Sequence, residues 1–133
     1  MIRPDFKEFL RLSNKGNVIP VYKEINADLD TPVSAFLKIK RGNYSFLLES
    51  VEGQEKIARY SFLGTNPSLI FKSKGRRIEI IDTAGNKKKS FITGSSPLAE
   101  IKKIMRDFSS VEVAGLPRFY GGLVGYIGYD TVR

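Results

Sequence analysis

Between residues 68 and 92 the chain alternates three β-prone runs (68–74, 77–82 and 88–92) with short breaks at Lys74-Gly75 and at Ala84-Gly85-Asn86. Parallel neighbours need a crossover of a dozen or more residues, and these breaks are far shorter than that. The runs can therefore pair only as an antiparallel meander, with glycine and asparagine supplying the turns. Around this meander the periodicity changes. Phe6, Phe9 and Leu10 recur at helical spacing after Pro4, until Asn14-Lys15-Gly16 ends the pattern. Asp30-Thr31-Pro32 starts a second helix, with Asp30 as the expected cap, and Arg41-Gly42-Asn43 stops it. Ser96-Pro97 opens the third, in which Leu98, Ile101, Met105 and Phe108 form an apolar stripe opposite lysines. Further strands are expected over residues 18–25, where Pro20 is tolerable only at an edge or bulge, over 44–50 and over 58–64. The fold class that follows is α+β: a mostly antiparallel sheet, or sheets, flanked by about three helices.

A chain of 133 residues with 41% hydrophobic and 27% charged residues suits one domain with a real core. Arg3, Asp5, Lys7 and Glu8 interrupt the start before a secretory signal could build. The longest uncharged run, residues 119–129, is glycine-rich and falls well short of the roughly 20 apolar residues that a membrane helix needs. The expectation is a soluble, cytoplasmic protein. With neither cysteine nor histidine there are no disulfides and no thiolate or imidazole metal ligands, and the side chain best suited to proton transfer near neutral pH is missing, which leaves carboxylates, lysine, tyrosine and hydroxyls for any chemistry. Missing cysteine and abundant lysine also fit a heat-adapted protein.

A net charge of +8 raises the question of nucleic acid. The basic residues are spread along the chain, however, and the only run, Lys87-Lys88-Lys89, adjoins a turn, which favours a solvated surface. Arg118, Tyr120, Gly121 and Leu123 partly fit an RNA-recognition motif. The fit fails where Phe119 replaces a glycine and where Gly122 and Gly125 replace stacking aromatics.

Several segments could carry chemistry. Phe46-Leu47-Leu48-Glu49-Ser50 is an apolar strand that ends in a carboxylate and a hydroxyl. It reads either as a buried strand with a polar exit or as one wall of an amino-acid pocket, which wants an acceptor for the ammonium and an apolar surface for the side chain. Strand alternation sends Glu49 and Ser50 to opposite faces, so both line one pocket only where the strand ends or bulges. Arg59, within Ala58-Arg59-Tyr60-Ser61-Phe62-Leu63-Gly64, could pair with a carboxylate or simply form a surface ion pair. Asp28 and Asp30 hint at a metal but lack a third ligand, so capping by Asp30 explains them better. Gly122, Gly125 and Gly128 recur in an apolar, strand-like segment, a spacing that admits a close partner. No nucleophile with a base, no paired acid and base, and no metal-ligand set is visible.

Three of these segments in this order, Leu47-Leu48-Glu49-Ser50, Ala58 to Gly64, and Gly121-Gly122-Leu123-Val124-Gly125-Tyr126 leading to Tyr129-Asp130-Thr131-Val132-Arg133, resemble the chorismate-utilising enzymes. The resemblance is nearest to the component I (large-subunit) family of anthranilate synthases, in its amino-terminal, regulatory region, and extends over nearly all of residues 1–133. It implies a lyase reaction in which chorismate is aminated and loses pyruvate to give anthranilate, for tryptophan biosynthesis. It also implies magnesium, and ammonia from a glutamine amidotransferase subunit (component II). By the same resemblance the chorismate- and magnesium-binding residues belong to a carboxyl-terminal region beyond Arg133, so that residues 1–133 alone are expected to be inactive and to hold no catalytic residue, metal or cofactor. What the resemblance assigns to this region is part of an allosteric L-tryptophan feedback site, on Ser50 with Glu49 and Leu48 beside it. The paralogous component I of aminodeoxychorismate synthase, from the folate pathway, is the alternative; a basic nucleic-acid-binding module is a more distant one. No nucleic-acid or membrane partner is expected.

Overall fold

A computed structural model of the chain describes residues 1–49 and 60–129. The elements are α1 (Phe6–Ser13), α2 (Pro32–Ile39), β1 (Ser45–Leu48), β2 (Phe62–Thr65), β3 (Leu69–Lys74), β4 (Arg77–Asp82), β5 (Lys87–Ile92) and α3 (Pro97–Arg106). They form two antiparallel sheets, β1-β2 and β3-β4-β5, together with three helices, so the α+β class holds. The chain divides into two compact units: Met1–Ile25, Ser73–Ile78 and Ile92–Arg133 make the first, and Asn26–Lys72 with Glu79–Phe91 the second.

Each helix begins on a side-chain cap that binds the N–H three residues on, satisfying one of the free donors of the first turn. Asp5 takes the Glu8 N–H at 2.8 Å, Thr31 the Ser34 N–H at 3.1 Å, and Ser96 the Ala99 N–H at 3.2 Å. Two expectations are corrected here. Asp5, not Pro4, opens α1, because proline has no side-chain acceptor to offer. Thr31, not Asp30, caps α2, and the Ser34 hydroxyl returns the bond to the Thr31 N–H at 2.9 Å in a reciprocal box. Asp30, one position earlier, instead accepts from the Ser34 hydroxyl at 2.8 Å and from Lys38 at 2.7 Å.

In the first unit the buried apolar residues are Leu12 of α1, Ile78 of β4 and Val111. The strand expected over residues 18–25 does not form. Only isolated bridges remain, Val18 to Ser110 and Arg3 to Tyr22. Pro20 lies between them and has no N–H, which breaks any continuous ladder. Side-chain bonds do the fastening. The Asn17 amide donates to Asp107 O at 2.6 Å and accepts from Ser109 N at 2.7 Å, holding the start of the chain to the exit of α3. Gly16 permits that approach, since a Cβ there would stand 2.5 Å from Ser109 O.

The stripe read on α3 is also corrected. Leu98, Met105 and Phe108 are exposed, and the most buried helix position is Glu100. Its Oε1 accepts from Thr93 Oγ1 at 2.6 Å, Ser95 Oγ at 3.0 Å and Lys103 Nζ at 2.9 Å, which pins the first turn of the helix to the segment leaving β5. These charge-assisted bonds hold its pKa down from 4.5 to about 2, the Thr93 hydroxyl contributing most.

The β3-β4 and β4-β5 connections fall where the sequence puts them. Gly75 has φ 57° in the first, and Asn86, rather than Gly85, takes the left-handed position of the second at φ 49°. Gly85 is needed for another reason: its N–H binds the Asp82 carboxylate at 2.8 Å, and a Cβ would collide with that carboxylate.

The glycine-rich segment that follows Pro117 forms no strand among the described residues. Tyr120 anchors its beginning, its hydroxyl donating to Val111 O at 3.2 Å. Beyond it, Leu123, Val124, Tyr126, Ile127 and Tyr129 are exposed, and Gly121, Gly125 and Gly128 have no neighbour within 4 Å of where a Cβ would stand. A strand needs a ladder partner, and none of the described residues supplies one.

Candidate functional site

β1 and β2 pair antiparallel in the register Ser45↔Thr65, Phe46↔Gly64, Leu47↔Leu63 and Leu48↔Phe62. Phe46 lies over Gly64 so closely that a Cβ on Gly64 would enter its ring. A glycine opposite an aromatic residue thus lets the ring cover the backbone and fixes the hairpin's register. At the end of β1, Leu48 faces Phe62, whose ring lies 6.1 Å from that of Tyr60 at a tilt of 32°. Leu48 and Tyr60 are about half exposed.

Glu49 follows outside the strand, exposed, and makes no hydrogen bond or ion pair among the described residues. The strand's end at Leu48 bears on the alternation problem, because a strict change of face is imposed only within a strand. Ser50, the third residue of the expected tryptophan site, lies outside the described residues, as do Ala58, Arg59 and Asp130 to Arg133. The arrangement that is described is an apolar and aromatic edge ending in an available carboxylate. Such an edge can hold a flat side chain and accept from an ammonium group.

The other readings resolve locally. Asp28 accepts from the Asn26 side chain at 3.0 Å, and Asp30 is committed to Ser34 and Lys38, which together hold its pKa below the ordinary carboxylate value. Among the described residues no group of three or more acidic side chains gathers that could hold a metal ion. In the basic stretch Lys88 pairs with Glu79 at 2.9 Å, and Lys89 stands 5.1 Å above the Phe91 ring. Among the described residues, no helix is long and apolar enough to cross a membrane.

One feature of the second unit escapes the sequence reading. A cleft of about 330 Å³ opens at the start of β1, lined by Arg41, Asn43, Tyr44, Asn66, Pro67 and Ile70 among others. Arg41-Gly42-Asn43 reads as a helix stop, and Asn66-Pro67 lies between the strands expected over residues 58–64 and 68–74. Nothing in the sequence signals that β1-β2 pairing brings the two loops together.

Two small antiparallel sheets with three capped helices define this chain as a partial α+β domain. The chain is 41% identical, over all of its length, to 26% of the anthranilate synthase component 1 of Acetivibrio thermocellus. It is 42% identical over 96% of its length to 25% of that of Aquifex aeolicus, and 42% identical over its whole length to 26% of that of Synechocystis sp.. No protein-family model and no solved structure matches it. The chain belongs to the anthranilate synthase component 1 family, where it corresponds to the amino-terminal part, and it spans about a quarter of the length of the relatives it matches.

Proposed function

We propose that this chain serves as the amino-terminal part of an anthranilate synthase component I, and that its share of the work is regulatory. In that enzyme chorismate and ammonia, delivered by a glutamine amidotransferase subunit, give anthranilate and pyruvate, a magnesium-dependent lyase reaction of tryptophan biosynthesis in the cytoplasm. The observation that carries the reading is the similarity of about 40% over the entire chain to relatives bearing that name. The chorismate and magnesium sites belong, on this reading, to other parts of the full enzyme, and residues 1–133 alone do not turn chorismate over.

The regulatory role rests on Leu48, Glu49 and Ser50. L-Tryptophan presents an ammonium, a carboxylate and a flat apolar side chain. Glu49 supplies the ammonium acceptor, Leu48 the apolar wall, and Ser50 a hydroxyl for the carboxylate. The end of β1 at Leu48 supports this assignment, because it lifts the strict alternation that would put consecutive side chains on opposite faces. Inhibition follows from linkage: tryptophan stabilises whichever enzyme state binds it more tightly, and the population moves away from the state that handles chorismate well.

The test is Ser50→Phe in the full-length enzyme. A phenyl ring fills the pocket, so tryptophan inhibition is relieved while turnover without tryptophan stays close to that of the parent. Inhibition that persists unchanged refutes the assignment. An anthranilate fluorescence assay on the same full-length enzyme separates this reading from the folate-pathway paralogue, which yields no anthranilate.

A further inference from the structure

We propose that the cleft between Arg41-Tyr44 and Asn66-Ile70 binds a small ring-bearing anion, a carboxylate or phosphate on a flat apolar body. The proposal does not rest on the tryptophan reading: the cleft lies where β1 begins, whereas Leu48 and Glu49 lie where it ends.

Among the described residues the lining holds one cation, Arg41, and two side-chain amides, Asn43 and Asn66, but no carboxylate. Arg41 is exposed and takes part in no ion pair among the described residues, so its guanidinium is available to an incoming anion. A guanidinium presents a flat fork of N–H donors that matches a carboxylate or phosphate edge, and the amide groups can add donors beside it. Tyr44, Pro67 and Ile70 line the rest, which suits a flat apolar body rather than a bare ion. Lys72 stands 5.2 Å over the Tyr44 ring and, with Glu79 4.0 Å from its Nζ, packs that wall rather than supplying free charge. The volume of about 330 Å³ lies at the small end of the roughly 300–1,000 Å³ typical of ligand pockets, which limits the guest to about one ring.

The walls are held in place, so binding spends little free energy on ordering them. Thr65 Oγ1 accepts the Arg41 N–H at 3.0 Å and donates to Arg41 O at 3.1 Å, clamping the backbone of the arginine loop from both sides. Gly42 and Asn66 both adopt left-handed backbone, with φ 64° and 50°. On the other side Thr83 fastens the Asn66-Pro67 turn, with its N–H to Ser68 O at 3.0 Å and its hydroxyl to Pro67 O at 2.5 Å. Asn66 is the more telling of the two left-handed residues. Glycine takes that conformation without penalty, whereas asparagine brings a side chain to the cleft at some cost in strain.

Calorimetric titration of the 133-residue chain with phenyl phosphate, benzoate and inorganic phosphate tests this. Phenyl phosphate or benzoate is expected to bind, and inorganic phosphate at least about tenfold more weakly than the better of the two. Arg41→Gln and Asn66→Gly should each weaken that binding about tenfold or more, through lost charge-assisted and amide hydrogen bonds. Asn66→Gly also relaxes the backbone, so loss of binding in that variant cannot be blamed on misfolding. Lys40→Gln removes a neighbouring exposed charge outside the cleft and should leave binding within about twofold. Absence of binding by both ring-bearing probes, equal affinity for inorganic phosphate, or equal weakening by Lys40→Gln would each overturn the proposal. Comparison of the two ring-bearing probes shows which anion the cleft prefers.

Discussion

Two glycines show how much a single missing methyl decides, and the identity of the neighbour ranks them. A Cβ on Gly64 meets the Phe46 ring, a side chain that can swing away at the expense of its packing. A Cβ on Gly16 meets Ser109 O at 2.5 Å and the Cγ2 of buried Val111 at 2.9 Å, and a carbonyl that already accepts from the Asn17 and Val18 N–H groups cannot move freely. Overpacking of this kind costs about 1–3 kcal/mol. Gly64→Ala is expected near the lower end of that range and Gly16→Ala near the upper, as read by urea denaturation of the two variants beside the parent. The reverse ranking would show that the segment around Ser109 yields more easily than the hairpin. The same close approach at Gly64 explains why the β1-β2 pairing was legible only in outline from the sequence. The apolar runs announce two strands, but the one-to-one match of Phe46 with Gly64 depends on which residues meet across the hairpin.

At the scale of the elements, caps and turns were the most readable features because their chemistry is local. Ser96-Pro97 set the start of α3, and Gly75 and Asn86 fell in the turns that the meander requires. The failures share a cause: each depended on a partner distant in sequence. Residues 18–25 have strand composition but meet only isolated bridges, and the α3 stripe has helical spacing but its buried face is built around Glu100. The residues of the two proposed sites divide in the same way: Leu48 and Glu49 are marked by their own run of sequence, whereas Arg41 and Asn66, which line the cleft, are brought together only by folding.

Glu100 makes a pH prediction possible at this scale. Its carboxylate is held at about 2 in the folded chain against an ordinary value of 4.5, so the folded state binds its proton later than the unfolded state does. The contribution is therefore complete above pH 4.5 and is lost as the pH falls towards about 2. Thermal melts across that window should show falling stability in the parent and a flatter profile in Glu100→Gln, which keeps the shape but not the charge. Identical slopes would mean that other carboxylates dominate acid unfolding. The helix caps give a separate expectation. Thr31→Ala removes the capping bond, which is one arm of the reciprocal box, and should lower stability by about 1 kcal/mol, recovered in part by Thr31→Asp.

At the scale of the whole molecule, the proportion of apolar surface left in water is the governing fact. Among the described residues the buried apolar side chains are Leu12, Ile78 and Val111, whereas Leu29, Leu37, Phe6, Ile25 and Tyr126 are each more than 60% exposed. Isolated surface leucines are ordinary, but runs such as Leu123-Val124 and Tyr126-Ile127, exposed on a segment with no ladder partner among the described residues, are the kind of surface that another backbone or apolar face covers. Charge opposes this: a net +8 repels copies of the chain from one another at low ionic strength, and salt screens that repulsion over about 10 Å at 0.1 M. The two effects together predict association of the 133-residue chain that strengthens as salt is added, the opposite of what an electrostatic interface would do. Sedimentation velocity at low and high sodium chloride reads this directly. Replacing Tyr126 and Ile127 with serine should return the high-salt sample towards monomer, since these side chains lie on the surface and no described contact depends on them. A chain that stays monomeric at both salt concentrations would show that the exposed glycine-rich segment is tolerated by water after all, and that its sequence answers to something other than a covering surface.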